Sequence, residues 1–287
     1  MASPPASPHL TSPSSPNPNN SNNNNNSHDE PPPLSLPQTL WSLTIPLSIS
    51  HASLPSHPPY LTTLPRFSYL PFLIPRLSSY FSTSTATPSS SFHHEEILLR
   101  NLPLGLLHDL YQPQTLPWRL TVSDGPEWDI SDTFTNSAKE ADFVRNGNAK
   151  QIMSLSKDDS TALWNSVQDN DFVSFSKIHS RLLNAPTPLR NVPTRVYMPS
   201  AKDDGKGGGE FKVIQTLIPP RLSNRTVQTL GGALKSILPT IFPSSRDPIL
   251  ANVILHGGPV PFRAPLEELM REAAYPDGWL CLIVVLL

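Results

Sequence analysis

Residues 103–120 read PLGLLHDLYQPQTLPWRL, and residues 265–282 read PLEELMREAAYPDGWLCL. Each stretch opens on a Pro-Leu pair with a leucine four residues beyond the proline, Leu107 or Leu269. A proline suits the first turn of a helix, where its missing N–H is not needed. Each stretch then enters an apolar strand through a tryptophan, Trp118 or Trp279.

Working outward, the flanks repeat as well. Before the first stretch, Leu43, Ile45, Leu47 and Ile49 alternate with Thr44, Pro46, Ser48 and Ser50. That period predicts a half-buried strand, and Pro46, lacking a ladder donor, points to an edge position. Residues 60–63 follow as a short second strand. Phe67, Leu70, Leu73, Ile74, Leu77, Tyr80 and Phe81 then fall at helical spacing, interrupted by Pro71 and Pro75. Residues 83–91 read as a loop and 95–100 as a strand. Before the second stretch, 192–198 and 211–218 read as strands around a flexible loop, 199–210. Residues 229–242 contain a helix with Leu230, Ala233, Leu234, Ile237 and Leu238 on one face, and 252–256 and 279–287 read as strands.

The order strand, strand, helix, strand, short helix, strand thus occurs twice. It is the layout of a β-grasp, or ubiquitin-like, domain, in which a helix covers one face of a sheet and buries a small core. The expected fold class is α+β: two ubiquitin-like β-grasp domains flanking a helix-rich segment. The expected boundaries are a Pro/Ser/Asn-rich tail at 1–37, the first domain at 38–125, the helix-rich segment at 126–188 and the second domain at 189–287.

Composition agrees with that division. The 287 residues include 35 prolines, and ten of these lie in 1–37 beside eight serines and eight asparagines. Such a stretch buries too little apolar surface to offset ~1–2 kcal/mol of backbone entropy per residue, so disorder is expected there. Its functional alternative is a proline-rich ligand. Collagen is excluded, since glycine does not recur at every third position. Net charge is only −2, which disfavours a nucleic-acid binder. The one cysteine, Cys281, excludes an intramolecular disulfide framework. The longest apolar run, 279–287, is far short of the ~20 residues that span a bilayer. A cytoplasmic protein with only peripheral membrane contact is expected.

In the helix-rich segment, Phe134, Ala138 and Ala141 share one face, and Lys139 lies about 100° round from Ala138, off that stripe. Asn146-Gly147-Asn148 weakens or breaks the helix. Ser156-Lys157-Asp158-Asp159 resembles a capping box. Trp164, Val167, Phe172, Phe175, Ile178 and Leu182 then fall within an arc of ~140°, a core-facing stripe.

Catalytic constellations are not expected. The string Gly205 to Gly209 lacks the spacing of a phosphate loop. His93, His94, Glu95 and Glu96 carry metal-ligand chemistry, but neighbours on a strand point to opposite faces, so no metal site is assigned. Cys281 sits in a buried-strand context that raises a thiol pKa. His108-Asp109 reads as a helix-surface pair. No cofactor is implied. Charge is uneven: 205–246 carry six basic residues against Glu210, whereas 123–171 carry ten acidic and four basic residues. Either these are ordinary solvated faces, or the first is a basic patch facing an acidic partner or anionic lipid.

One set of local strings is more specific. Ser137-Ala138-Lys139-Glu140-Ala141-Asp142, then Leu163-Trp164 with Gln168-Asp169-Asn170-Asp171-Phe172, resembles the autophagy-related protein 5 family. Leu104-Gly105-Leu106-Leu107, Leu116-Pro117-Trp118 and Tyr275-Pro276-Asp277 do so too, and the resemblance covers about residues 41–287. It implies a non-catalytic component of an E3-like complex. One lysine, here Lys139, takes the ubiquitin-like modifier autophagy-related protein 12 through an isopeptide bond, delivered by E2-type conjugating enzymes. Autophagy-related protein 16, a coiled-coil partner, is held non-covalently in a groove involving all three domains. The assembly promotes lipidation of autophagy-related protein 8 with phosphatidylethanolamine at the preautophagosomal membrane. The chemistry asks the acceptor lysine for exposure and reach, while the E2 site supplies orientation and desolvation. The alternative reading is an interaction adaptor with two ubiquitin-like domains and no covalent attachment.

Overall fold

The structure is a computed structural model; it describes Met1 and residues 34–81, 89–125, 129–186, 188–199 and 211–287. The expected tail from residue 2 to 33 and most of the 199–210 loop, with its glycine string, lie outside the described residues. Helix α1, Leu36–Ser42, begins within the stretch expected to be tail. Ser35 explains the start: its side chain caps the Gln38 N–H while the Gln38 side chain accepts from the Ser35 N–H. That box seats Leu40 and Trp41, both buried.

The first half contains β1 (Thr44–His51), β2 (Tyr60–Pro65), a 3-10 turn at Leu70–Leu73, α2 (Ile74–Tyr80), β3 (Ser89–His94), β4 (Ile97–Leu98), α3 (Leu104–Tyr111) and β5 (Trp118–Asp124). The helical segment contains α4 (Ile130–Asn146), α5 (Lys150–Met153), α6 (Lys157–Gln168) and α7 (Phe172–Leu183). The second half contains β6 (Thr194–Pro199), β7 (Phe211–Gln215), α8 (Leu230–Ile237), β8 (Ala251–Leu255), β9 (Gly258–Pro259), α9 (Leu266–Ala273) and β10 (Leu280–Leu286).

The two sheets have the same strand order, β2-β1-β5-β3-β4 and β7-β6-β10-β8-β9. In each, the first and last strands run parallel at the centre, Leu47 beside Trp118 and Thr194 beside Leu280. This is the β-grasp topology, present twice.

Several expectations are corrected. Strand β1 is central, not an edge, because β5 inserts beside it. Pro46 pairs with Thr63 and precedes the first parallel pair, Leu47 with Trp118, so it stands where only β2 is in register beside it. Of the loop expected at 83–91, residues 83–88 lie outside the described residues and Ser89–His94 forms strand β3; the chain turns at Glu95, whose φ is 54°, and the strand expected at 95–100 is the shorter β4, Ile97–Leu98. This serine-rich strand is seated by Phe92 and by buried Ser90 and Ser91. The stripe from Trp164 to Leu182 belongs to two helices. Asn170 adopts a φ of 56° and Asp171 caps α7 on the Ser174 N–H, so the chain reverses between α6 and α7. The two helices pack antiparallel through Leu163, Val167, Phe175, Ile178 and Leu182, which brings Asp159, early in α6, within 2.8 Å of Arg181, late in α7.

The core explains how the parts cohere. Helix α3 has two apolar faces. Leu104 and Leu107 enter the core under the first sheet, with Ile45, Leu47, Ile49 and Trp118. Leu106 and Leu110 enter a second core that includes Phe67, Phe134, Val167, Phe175 and the α8–α9 side of the second sheet. A buried Leu or Phe contributes about 1.5–3 kcal/mol each, so this shared core docks both halves onto the helices. Phe67 makes the join directly, with ring centroids 5.4 Å from His256 and 5.5 Å from Tyr275.

Candidate acceptor helix and interdomain groove

Helix α4 carries Lys139. It starts at Asp129, whose carboxylate accepts from the Asp132 N–H at 2.9 Å, and stops at Gly147, whose φ of 74° closes the last turn. Ile130, Phe134, Ala138, Ala141, Asp142, Arg145 and Asn146 face inward. Lys139 flanks that face and is half-buried.

The two carboxylates nearest Lys139 along the helix are both committed elsewhere. Glu140 pairs with Arg195 at 2.9 Å. Asp142 is fully buried and accepts from Asn146 Nδ2 at 2.7 Å and from the Ile152 N–H at 3.1 Å. The Lys139 side chain has no hydrogen bond or ion pair to any described residue. Its amine is therefore carried at the margin of the packed face without a local carboxylate to hold it down.

The far side of α4 is fastened to the second β-grasp half. Ser137 Oγ donates to Asp277 Oδ2 at 2.7 Å, and Arg195 Nη1 donates to Ser137 Oγ at 3.0 Å. Trp279 Nε1 donates to the Ser137 carbonyl at 3.0 Å, and the Arg195 guanidinium lies 4.0 Å above the Trp279 ring. Burial pushes the Asp277 carboxyl above its ordinary range, opposed by Arg195 and by the Ser137 hydroxyl. Serine, arginine, aspartate and tryptophan from three segments thus fix α4 at Ser137, two residues from Lys139.

A groove of about 170 Å³ lies where the three parts meet. Leu40, Trp41 and Phe67 come from the first part, Phe175 from α7, and Met270 and Ala274 from the second half. Trp41 lies 5.5 Å from Phe67 and 4.7 Å from Phe175, and the Asn170 side chain donates to the Trp41 carbonyl at 3.1 Å. His179 stacks on Phe175 at 4.7 Å on one wall, and burial pushes its pKa below the usual range. Sequence reading assigned no groove residue. The signal that could have found Trp41 was the Ser35–Gln38 capping box, which makes the preceding stretch a helix.

The other residues singled out have structural settings. His94 Nδ1 accepts from Trp118 Nε1 at 3.2 Å, and His93 Nδ1 approaches Ser123 Oγ at 3.5 Å. Among the described residues, no group of three His, Cys, Asp or Glu is placed to hold a metal ion. Cys281 is buried and burial pushes its thiol up. Asp109 is not on the surface as expected. It is buried against Arg66, which also donates to the Gly105 carbonyl at 3.2 Å. No described helix is long and apolar enough to cross a membrane.

Comparison with known proteins agrees along the chain. Three family models match: "Autophagy protein ATG5, UblA domain" over 40–123, "alpha-helical bundle region" over 127–185, and "UblB domain" over 191–284. The chain is 72% identical over 254 residues to Autophagy protein 5 of Chaetomium globosum, covering 88% of this chain and 90% of that one. It is 64% identical to Autophagy-related protein 5 of Neurospora crassa, covering 90% of this chain and 73% of that one. The crystal structure of Kluyveromyces marxianus Atg5 superposes with a TM-score of 0.69 at 23% identity, covering 87% of this chain and 99% of the other.

Proposed function

Because the chain belongs to the autophagy protein 5 family, we propose that within autophagy it is the lysine acceptor and scaffold of an E3-like conjugation complex. Lys139 is the acceptor. Its neutral amine attacks the thioester between the C-terminal glycine of autophagy-related protein 12 and an E2 cysteine. The C–N isopeptide bond forms, the C–S bond breaks, and the sulfur leaves as thiolate while the amine gives up a proton. This protein's share of that step is positioning. The observation that carries the reading is the state of Lys139, half-buried on the rim of α4 with neither Glu140 nor Asp142 available to pair with it. A helix fixed to its neighbour through Ser137, Asp277 and Trp279 presents that amine at a reproducible place.

The groove at the meeting of the three parts takes the helix of the coiled-coil partner, autophagy-related protein 16. Its floor of Trp41, Phe67 and Phe175 suits the apolar face of an amphipathic helix. The complex then promotes lipidation of autophagy-related protein 8 from a peripheral position on the preautophagosomal membrane, with no catalytic group of its own. The deciding experiment is a reconstituted conjugation with both E2-type enzymes and the modifier, read by mass spectrometry for the branched peptide. Wild type gives the adduct on Lys139, and Lys139→Arg gives none with its fold intact. A normal adduct on that variant removes the site assignment. A wild-type chain that never forms an adduct yet binds the coiled-coil partner leaves the non-covalent adaptor reading in its place.

A further inference from the structure

The apolar side chains of α4 turn inward with one exception. Ile130, Phe134, Ala138 and Ala141 are buried, and Val144 packs against the same core. Phe143 is 58% exposed. Among the described residues it is the most exposed Phe, Tyr or Trp. The next, Tyr80 at 36%, lies against the rings of His57, Tyr60 and Phe81. Phe143 has no ring contact with any described residue.

Its place on the helix is specific. Asn136, Lys139 and Phe143 follow the i, i+3, i+7 rule and form one outward stripe. Phe143 stands one turn beyond Lys139, a spacing that puts Cβ atoms about 5–6 Å apart. Helical side chains lean toward the N-terminus, so a residue at this position covers the turn that carries the lysine. One turn further on stands Gly147, which has no side chain to shield the ring. An exposed phenylalanine adds nothing to the core and is a weaker helix former than alanine. The fold does not account for it.

We propose that Phe143 is a positioning residue for conjugation, a docking contact for the E2-type enzyme that delivers the modifier; this rests on Lys139 being the acceptor. Attack requires the thioester carbonyl within about 3–3.5 Å of the amine. That carbonyl is bonded directly to the E2 cysteine, so the E2 surface around the cysteine closes over this turn of α4. The modifier itself enters only by its terminal glycine. Contact between the ring and an apolar E2 surface removes both from water, and it sets the angle at which the thioester meets Lys139. The partner surface that fits is apolar and lies beside the E2 cysteine.

The test is single-turnover transfer from E2 already charged with the modifier to the full chain, with the concentration of this protein varied. Phe143→Ala, an exposed change to a better helix former, raises the half-saturating concentration about tenfold, as loss of roughly half a buried aromatic contact would. The maximal rate is unchanged, the mark of a lost docking contact. Phe143→Leu recovers most of the difference. Uncharged E2, its cysteine replaced by serine, inhibits transfer to wild type, and about tenfold more is needed against Phe143→Ala. Unchanged half-saturation in Phe143→Ala, or a fall in maximal rate alone, overturns the proposal while the Lys139 adduct still forms. Equal inhibition of both proteins by uncharged E2 assigns the ring to the modifier and overturns the E2 contact. An adduct absent from wild type, or sited away from Lys139, overturns the acceptor reading and this inference with it.

Discussion

Trp279 donates its indole N–H to the backbone carbonyl of Ser137 at 3.0 Å, tying the closing strand of the second β-grasp half to the helix that carries Lys139. Its counterpart in the first half, Trp118, spends the same donor on His94, within its own sheet. One repeat position therefore has two uses, internal packing in one copy and interdomain fastening in the other.

Replacing Trp279 by Phe removes that hydrogen bond and the best ring for Arg195. The expected loss is about 1–2 kcal/mol in urea unfolding. Hydrogen exchange distinguishes the two tryptophans. In Trp279→Phe the amides of α4 lose protection, whereas in Trp118→Phe the losses fall on β3 and β5. Equal loss in α4 from both changes would contradict the assignment.

Arg66 and Asp109 form a buried ion pair, with side chains 7% and 2% exposed. Cutting Asp109 to Ala strands a buried guanidinium, and breaking such a pair costs about 3–5 kcal/mol. Arg66→Met with Asp109→Leu removes both charges and recovers most of the loss, again by urea unfolding. Gly105→Ala is expected to act on the same pair, because a Cβ there would collide with Arg66 Cγ.

The repeat made the paired β-grasp fold legible, since period-two strands and Pro-initiated helices are local signals. What escaped depends on distant partners. His108-Asp109 looked like a surface pair because nothing near it in sequence announces Arg66, 43 residues away. Pro46 looked like an edge because the strand inserted beside β1 is the last of its domain. The α6–α7 break was present in Asp169-Asn170-Asp171 but was masked by an apolar period that continues across it. Lys139 is proposed from its string of neighbours alone. The groove has no such string, because Trp41, Phe175 and Met270 meet only when the three parts dock.

The groove is tested without touching its core. Ser176 lines it, half-buried, with its hydroxyl bonded only within α7. Ser176→Arg places a long charged side chain in the path of a partner helix. Fluorescence anisotropy with the N-terminal helix of autophagy-related protein 16 is expected to show at least about tenfold weaker binding, a loss of about 1.4 kcal/mol. The Lys139 adduct forms as in wild type. Unchanged helix affinity would move the partner site elsewhere.

His256 makes stability pH-dependent. Its Nε2 donates to the Ala273 carbonyl at 2.8 Å, its Nδ1 is buried without a partner, and Phe67 and Tyr275 pack on the ring. Burial pushes its pKa down to about 4, with Arg66 adding to the depression and the Ala273 bond and Asp109 opposing it. An unfolded histidine titrates near ~6.5, so between these values the unfolded chain binds the extra proton. The contribution is complete above about pH 6.5 and declines as pH falls toward 4, by at most about 3 kcal/mol. Residue 256 has a φ of 52°, which asparagine tolerates better than most residues. His256→Asn is therefore expected to be less stable than wild type at pH 7, with the gap closing as the pH approaches 4. Urea unfolding of both proteins across that range measures it, and a pH-independent difference would show that the ring's neutrality does not matter to the fold.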